Sequence, residues 1–114
     1  MNILWTLKID TITLPEKPLF LAPIEDVSDA PFRQIFREKG ADIVYTEIIS
    51  SEALVRDTDI TLNQMSFFES ERPLGIQIIW DREEAMEGAA KAAEYNIPDL
   101  VDINFGCPVY KVVN

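Results

Sequence analysis

The chain has 114 residues, of which 47% are hydrophobic and 10% aromatic, so its composition supports one folded domain and excludes intrinsic disorder. It has no apolar stretch of about 18 residues, and no N-terminal basic segment followed by an apolar one, so we expect neither a membrane span nor a secretory signal. The net charge is −10 and the chain has no Lys/Arg cluster, which argues against these residues forming the main binding surface for a nucleic acid.

The chain contains no histidine and one cysteine, which narrows the chemistry available to it. A zinc site and a Cys–His nucleophile pair both need residues that this composition cannot supply. A lone cysteine cannot form an internal disulfide, which fits a reducing cytoplasm. Glu25, Asp26 and Asp29 are close in sequence, but Asp29 is better placed as a helix cap than as a metal ligand. We therefore expect a cytoplasmic protein without a metal site.

Short strands and one helix are predicted for the first forty residues. Residues 3–14 alternate imperfectly between apolar and polar, which indicates a strand or a hairpin. Residues 18–23 form a near-continuous apolar run, typical of a strand buried on both faces. A helix is then predicted to begin after Asp29, with Pro31 in its first turn, and to end at Gly40.

This first helix has an apolar face. Phe32, Ile35 and Phe36 are spaced i, i+3 and i+4, which places their side chains on one side of the helix. A stripe of this kind usually faces the core of a domain.

The same cycle of strand and helix repeats further along the chain. Residues 43–47 are rich in β-formers and predict a second strand, followed by a short helical piece at 53–55. Residues 57–72 are polar and irregular. Residues 74–79 predict a third strand.

A longer helix and a last strand complete the predicted elements. Asp81, with Glu84 three residues later, suggests a capping box for a helix that runs to about residue 95. Alanines line one side of this helix. Residues 100–104 predict the fourth strand.

Strands that alternate with helices predict an α/β fold with a parallel sheet. Four such units correspond to half of a TIM (β/α)8 barrel, which needs about 250 residues; a small doubly wound sheet is the alternative. No strand is followed by a G-x-G-x-x-G phosphate loop, and polar residues end each strand, so we favour a partial barrel of about four units. These strand-end residues, expected to converge at one mouth, are Glu25, Glu47, Gln77 and Asn104.

Cys107 lies just beyond the fourth strand, between Gly106 and Pro108. The glycine permits an unusual backbone conformation and the proline stiffens the segment that follows, so the thiol could be held in a defined direction. A small buried packing residue is the alternative interpretation. An unperturbed thiol, with a pKa of about 8.5, is mostly protonated at neutral pH and suits a proton donor. A thiol that donates a proton in this way would need a separate source of electrons or hydride. No side chain provides one, so a cofactor is implied.

Four segments together resemble the tRNA-dihydrouridine synthase family, over residues 18–114. They read LAPIEDVSDAPFR at 21–33, GADIVYTE at 40–47, RPLGIQ at 72–77 and DINFGCP at 102–108, followed by Lys111. The resemblance implies a barrel enzyme that uses FMN, with NADPH as reductant, to reduce uridine in tRNA to 5,6-dihydrouridine. It also implies that residues 1–114 are the N-terminal part of the catalytic domain, and that the rest of the barrel and a helical RNA-binding domain are absent.

The resemblance assigns roles to seven residues. It implies that the end of the first strand touches FMN, that a glutamine on the third strand bonds the flavin ring, and that an asparagine lies near flavin and uracil. The motif cysteine gives a proton to uracil C5 while the flavin gives hydride to C6, and a lysine lies near the substrate. The matching residues are Pro23, Ile24, Glu25, Gln77, Asn104, Cys107 and Lys111.

Some features depart from the family pattern, and two other functions stay open. Ile24 stands where the family usually has methionine. The family usually has a glycine two or three residues after Gln77, where this chain has Ile78, Ile79 and Trp80, and the Trp80 ring could crowd the mouth. The chain could instead belong to another FMN-dependent barrel enzyme that acts on a small molecule. It could also be an inactive half-barrel that associates with itself through its exposed sheet edges. If the chain is part of a tRNA-dihydrouridine synthase, we expect the main tRNA-binding surface to lie in the absent part, and the isolated chain to be inactive.

Overall fold

The computed structural model describes residues 6–56, 59–80 and 82–106, which form an α/β fold with a parallel sheet. The strands are β1 (Lys8–Ile9), β2 (Ile12–Thr13), β3 (Val44–Tyr45), β4 (Ile49–Ser50), β5 (Leu74–Ile79) and β6 (Leu100–Asn104). The helices are α1 (Ala30–Glu38), α2 (Ser51–Arg56), α3 (Asp59–Met65) and α4 (Glu83–Tyr95), and a 3-10 turn covers Glu69–Glu71. The described residues contain no helix with the length and apolar character needed to cross a membrane.

The N-terminal hairpin expected from the sequence is present. Strands β1 and β2 pair antiparallel, with Lys8 opposite Thr13. The backbone N–H of Leu14 donates to the carbonyl of Leu7 at 2.9 Å, and the Leu14 side chain is buried. The hairpin is therefore closed by the residues that flank it.

The parallel sheet is built around β5. β6 pairs with one side of β5 along five residues, whereas β3 and β4 pair with successive parts of the other side. Between β3 and β4 the chain stays at the sheet, because the Thr46 N–H donates to the Gly75 carbonyl at 2.9 Å. Phe20 forms a parallel bridge to Ile43 on the outer side of β3. The strands thus follow one another across the sheet in chain order.

The apolar run at residues 18–23 is not a strand buried on both faces, as its composition predicted. It contributes a single bridge, and the side chains of Leu19 and Phe20 are 62% and 45% exposed. The segment lies at an edge of the sheet, since no further strand pairs with its outer side within the part of the chain that the structure describes. An apolar run alone cannot distinguish an edge strand from a central one.

Helix α1 begins and ends where its capping residues predict. The Asp29 carboxylate accepts a hydrogen bond from the Phe32 N–H at 3.0 Å, and Pro31 occupies the first turn. Gly40 follows the helix with φ of +108°, a conformation that favours glycine.

Part of the apolar face of α1 is exposed, although a stripe of this kind usually faces a core. Ile35 and Phe36 are 56% and 40% exposed, whereas Arg33, three positions before Phe36, is buried. Arg33 can be buried because Glu71 and two backbone carbonyls accept hydrogen bonds from its guanidinium. The hydrogen bonds of the buried Arg33 therefore contribute to the orientation of α1.

The hydrophobic core lies between one face of the sheet and helices α2, α3 and α4. Its fully buried strand residues are Val44, Ile49, Leu74, Ile76 and Ile78, and its helical residues are Leu54, Met65, Met86, Ala89 and Ala93. The alanine-lined side of α4 packs on this core.

The N-terminus of α4 differs from the predicted capping box. The helix begins at Glu83 with Arg82 at the cap position, and no side chain caps it. Asp81, the expected cap, lies outside the described residues.

Candidate active site at the carboxyl edge of the sheet

The Gln77 side chain on β5 contacts two polar side chains of β6, toward the carboxyl ends of the two strands. The register pairs Gln77 with Asp102 and Ile79 with Asn104, so positions 77, 102 and 104 share one face of the sheet. The Gln77 amide donates to Asp102 Oδ2 at 2.5 Å, and the Asn104 amide donates to Gln77 Oε1 at 3.3 Å. Because Gln77 is only 7% exposed, these bonds fix the orientation of its amide.

Tyr45 lies on the same face, one layer toward the amino ends of the strands. A Cβ at Gly75 would lie 2.6 Å from two ring carbons of Tyr45 and 2.7 Å from Leu100 Cδ1, so glycine leaves the space that these side chains fill. Burial, and to a smaller extent the charge of Asp102, raises the pKa of Tyr45 above its ordinary value of 10.0. The phenol is therefore neutral at physiological pH.

Thr46 joins this network to the neighbouring strand. Its hydroxyl accepts a hydrogen bond from the Gln77 N–H at 3.3 Å and donates to the Glu47 carbonyl at 3.1 Å. The Glu47 carboxylate in turn accepts from the Asp26 N–H at 3.2 Å. A continuous series of contacts thus runs from β5 to the loop after residue 23.

The loop at residues 24–28 is held by its own hydrogen bonds. The buried Ser28 hydroxyl accepts from the Ile24 N–H at 2.7 Å, and the N–H groups of Val27 and Ser28 both donate to the Ile24 carbonyl. Asp26 has φ of +61°, a conformation that aspartate tolerates better than most residues. The N–H groups of Ile24, Asp26, Val27 and Ser28 are therefore all engaged within the protein.

A buried ion pair between Arg33 and Glu71 also contacts the loop at residues 24–28. Arg33 Nε lies 2.5 Å from Glu71 Oε1, and both side chains are almost completely buried. The same guanidinium donates to the Ser28 carbonyl at 2.7 Å and to the Ser66 carbonyl at 3.0 Å. Glu71 also accepts from the Phe68 N–H. The pair therefore ties the loop to α1 and to the 3-10 turn.

Asn104 also shapes the chain beyond β6. Its Oδ1 accepts a hydrogen bond from the Gly106 N–H at 2.9 Å, which forms an Asx-turn. Its carbonyl accepts from the Trp80 N–H at 2.8 Å. The rings of Trp80 and Phe105 lie next to each other, with centroids 5.4 Å apart.

The structure brings some of the predicted site residues together. Gln77 and Asn104 are in direct contact, and Glu47 contacts the loop that carries Glu25. Pro23 is half-buried, whereas Ile24 is 47% exposed at the same edge. The predictions for Cys107, Pro108 and Lys111 lie outside the described residues.

Sequence reasoning missed Tyr45 and Asp102 as neighbours of Gln77. A carboxylate two positions before Asn104 in an apolar strand was an available signal, since alternate residues of a strand share a face. Nothing local indicated Tyr45, because its relation to Gly75 depends on the register between strands. Among the described residues, no group of three or more acidic, thiol or imidazole side chains could hold a metal ion.

A family model described as "Dihydrouridine synthase (Dus)" matches residues 20–114. The chain belongs to the dihydrouridine synthase family. The match covers the parallel sheet and all four helices described above.

Several members of the dihydrouridine synthase family are similar to this chain. A "Probable tRNA-dihydrouridine synthase" of Aquifex aeolicus (strain VF5) is 38% identical over 96 residues, which are 83% of this chain and 30% of the relative. The "tRNA-dihydrouridine synthase B" of Pseudomonas syringae pv. tomato is 34% identical over 96 residues, 84% of this chain and 28% of the relative. A Rickettsia bellii relative is 32% identical over 109 residues, 95% of this chain and 33% of the relative. The chain thus spans about a third of the length of these relatives.

Proposed function

We propose that the protein takes part in the FMN-dependent reduction of uridine to 5,6-dihydrouridine in tRNA. Membership of the dihydrouridine synthase family supports the reaction. The position of Asn104 is the structural observation that carries the proposal. Its side chain contacts Gln77 on one side and the backbone of Gly106 on the other. One residue therefore couples the expected flavin ligand to the segment that leads into Cys107.

We infer that the sheet is the first part of a TIM barrel, with about four β/α units. The consecutive strand order supports this, since an open doubly wound sheet reverses its order at a switch point. The polar face that carries Gln77 and Asn104 would then line the barrel mouth. The exposed edge at Phe20 would pair with a later strand of the whole protein, or with a second copy if the 114-residue chain exists alone.

The polar face is chemically suited to a flavin ring. The pyrimidine part of isoalloxazine alternates carbonyl and N–H groups, and the amides of Gln77 and Asn104 each offer a donor and an acceptor. Asp102 holds the Gln77 amide in one orientation. Ile24 offers an exposed apolar side chain, while Pro23 and Glu25 would contribute carbonyl or side-chain contacts. When bound and reduced, FMN supplies the hydride for C6 of uracil.

The proton for C5 of uracil is assigned to the Cys107 thiol. Reduction of the C5=C6 bond consumes one hydride and one proton, and the thiolate left on Cys107 regains a proton from water. Lys111 is proposed to lie near the substrate. With NADPH as the reductant, uridine, NADPH and one proton yield dihydrouridine and NADP+.

The charge of the chain bears on how tRNA is held. A surface with 20 acidic and 10 basic residues cannot supply most of the phosphate contacts. We therefore propose that the main tRNA grip lies in the two thirds of the relatives that this chain does not span. Because tRNA is the proposed substrate, we also propose the cytoplasm as the compartment.

Substitution of Cys107 tests the proton-donor role in the protein expressed at its full encoded length with FMN. Cys107→Ala should leave flavin reduction by NADPH at the wild-type rate and lower dihydrouridine formation in tRNA by about 100-fold or more. Cys107→Ser is the matched variant, since it keeps a similar shape but is a far weaker acid, and it should be nearly as inactive. Flavin absorbance follows the first half-reaction, and mass spectrometry of digested tRNA follows the second.

Two outcomes would count against the proposal. A Cys107→Ala variant with normal dihydrouridine formation would remove the thiol from the mechanism. Wild-type protein that oxidises NADPH but leaves every tRNA uridine unchanged would favour a different flavin-dependent reaction on a small molecule.

A further inference from the structure

Two aromatic rings stand exposed beside the proposed site. Trp80 follows β5 and Phe105 follows β6, so both lie at the carboxyl edge of the sheet. Their side chains are 40% and 72% exposed, although their ring centroids are 5.4 Å apart with planes tilted by 34°. Large apolar side chains that remain exposed after pairing with each other offer a surface to a third flat group.

Hydrogen bonds to Asn104 hold the backbone on both sides of this pair. The Trp80 N–H donates to the Asn104 carbonyl at 2.8 Å. The Asx-turn from Asn104 Oδ1 to the Gly106 N–H encloses Phe105. Asn104, which also contacts Gln77, therefore fixes the backbone next to both rings and so their position relative to the site.

The charges around the rings indicate what kind of group could bind. Residues 74–80 and 100–106 contain no lysine or arginine, and the Asp102 carboxylate lies beside Gln77 at this end of the sheet. The guanidinium of Arg82, two residues after Trp80, is paired with Glu52. Phosphate groups are disfavoured in such surroundings. A flat, uncharged nucleobase fits better, because stacking on aromatic side chains needs no positive charge.

We propose that Trp80 and Phe105 form a stacking platform for an unpaired RNA base next to the uridine that is reduced. This inference rests on the proposed function, which brings single-stranded tRNA nucleotides to this edge. Stacking of one base contributes enough to change affinity by about tenfold when the aromatic side chain is truncated. The platform would position the substrate strand without taking part in the chemistry.

Binding of short RNA tests the platform directly in the FMN-loaded protein at its full encoded length. The probes are a fluorescently labelled single-stranded oligouridylate and an abasic ribose–phosphate oligomer of the same length. Trp80→Ala and Phe105→Ala should each weaken oligouridylate binding about tenfold, measured by fluorescence anisotropy, and should leave abasic binding unchanged. Trp80→Phe keeps a ring and should stay within about threefold of wild type. Phe68→Ala, which truncates a 66% exposed ring before the 3-10 turn, is the matched control and should have no effect.

Several results would overturn the inference. These are equal binding of the two oligomers by wild-type protein, no detectable oligouridylate binding, and alanine variants that bind as wild type does. A loss of FMN in Trp80→Ala, seen as free flavin after gel filtration, would instead mean that the indole packs on the cofactor.

Turnover separates the failure of this inference from the failure of the proposed function. Because the platform positions the substrate strand, Trp80→Ala should raise the KM for tRNA about tenfold and leave flavin reduction by NADPH unchanged. Dihydrouridine formation with a wild-type KM in this variant would refute the platform while the proposed function stands. Base-dependent binding without dihydrouridine formation by wild-type protein would refute the proposed function and retain the platform as a base-binding site.

Discussion

The two faces of the central strand β5 are built on different principles. Leu74, Ile76 and Ile78 point to the helices and are fully buried in an apolar core. On the opposite face, Gly75 admits the ring of Tyr45, and Gln77 bonds to neighbouring polar side chains. Apolar packing stabilises the first face. Hydrogen bonds between neighbouring polar side chains stabilise the second.

This difference separates stability from function within one strand. Close-packed apolar side chains contribute to the free energy of folding but offer nothing to a substrate. Amides such as that of Gln77 contribute less to folding, because water competes for their hydrogen bonds in the unfolded chain. They can instead be kept at a fixed orientation for a ligand. Substitutions on the two faces should therefore differ in both the size and the kind of their effects.

The largest effect is expected on the helix side. Ile78→Ala removes a side chain with no exposed surface and leaves a cavity between β5 and the helices, so the free energy of unfolding should fall by about 2–5 kcal/mol. Chemical denaturation followed by circular dichroism measures this loss. If the protein unfolds entirely, Ile78→Val, with an expected loss of about 0.5–1.5 kcal/mol, still tests the direction.

A matched control lies directly across the sheet. Ile103 is the register partner of Ile78 and points to the same face, but its side chain is 41% exposed. Ile103→Ala should therefore cost clearly less than Ile78→Ala. Equal losses from the two substitutions would mean that burial against the helices does not set the stability of this face.

Much of this central region could be predicted from the sequence. The bounds of β5 and β6 agree with the predicted strands at 74–79 and 100–104, because each is a short apolar run between clear breaks. The cap residue Asp29 and the glycine at position 40 likewise predicted where α1 begins and ends. These signals are local, so they need no knowledge of the tertiary structure.

The features that the sequence did not reveal depend on contacts between distant residues. Arg33 and Glu71 are 38 positions apart, yet their ion pair allows the Arg33 side chain to be buried, while Phe36 on the same helix is 40% exposed. In the same way, Gln77 and Asn104 could be assigned to the site from their own strands, whereas the position of Tyr45 depends on the register of β3 with β5.

A smaller effect is expected from the polar face. Gln77→Leu keeps most of the side-chain volume but removes the donor to the Asp102 carboxylate, so stability should fall by about 1.5–3 kcal/mol, the usual range for a hydrogen bond to a charged group. FMN binding should weaken as well, which would distinguish this face from the helix side. Denaturation and flavin titration of the protein at its full encoded length measure the two effects.

A double-mutant cycle is the control for that interpretation. In Gln77→Leu/Asp102→Leu both partners are replaced, so no unpaired carboxylate remains and much of the lost stability should return. Additive losses in the double variant would contradict a direct interaction between the two side chains.

The smallest effect concerns pH, and it also arises on the polar face. Because the pKa of Tyr45 is raised, first by burial and then by the charge of Asp102, the folded protein holds the phenolic proton more tightly than the unfolded chain does. This contribution to stability is complete below about pH 10 and is lost as the pH rises through the folded-state pKa. Tyr45→Phe should therefore flatten the fall in unfolding free energy above about pH 10, measured by denaturant titrations at several pH values. Asp102→Asn should remove only the charge effect and lower the pKa of Tyr45 part of the way toward 10.0, seen in the ultraviolet absorbance of tyrosinate. A Tyr45 pKa unchanged by Asp102→Asn would show that burial alone raises it, and that the carboxylate acts on Gln77 without influencing the phenol.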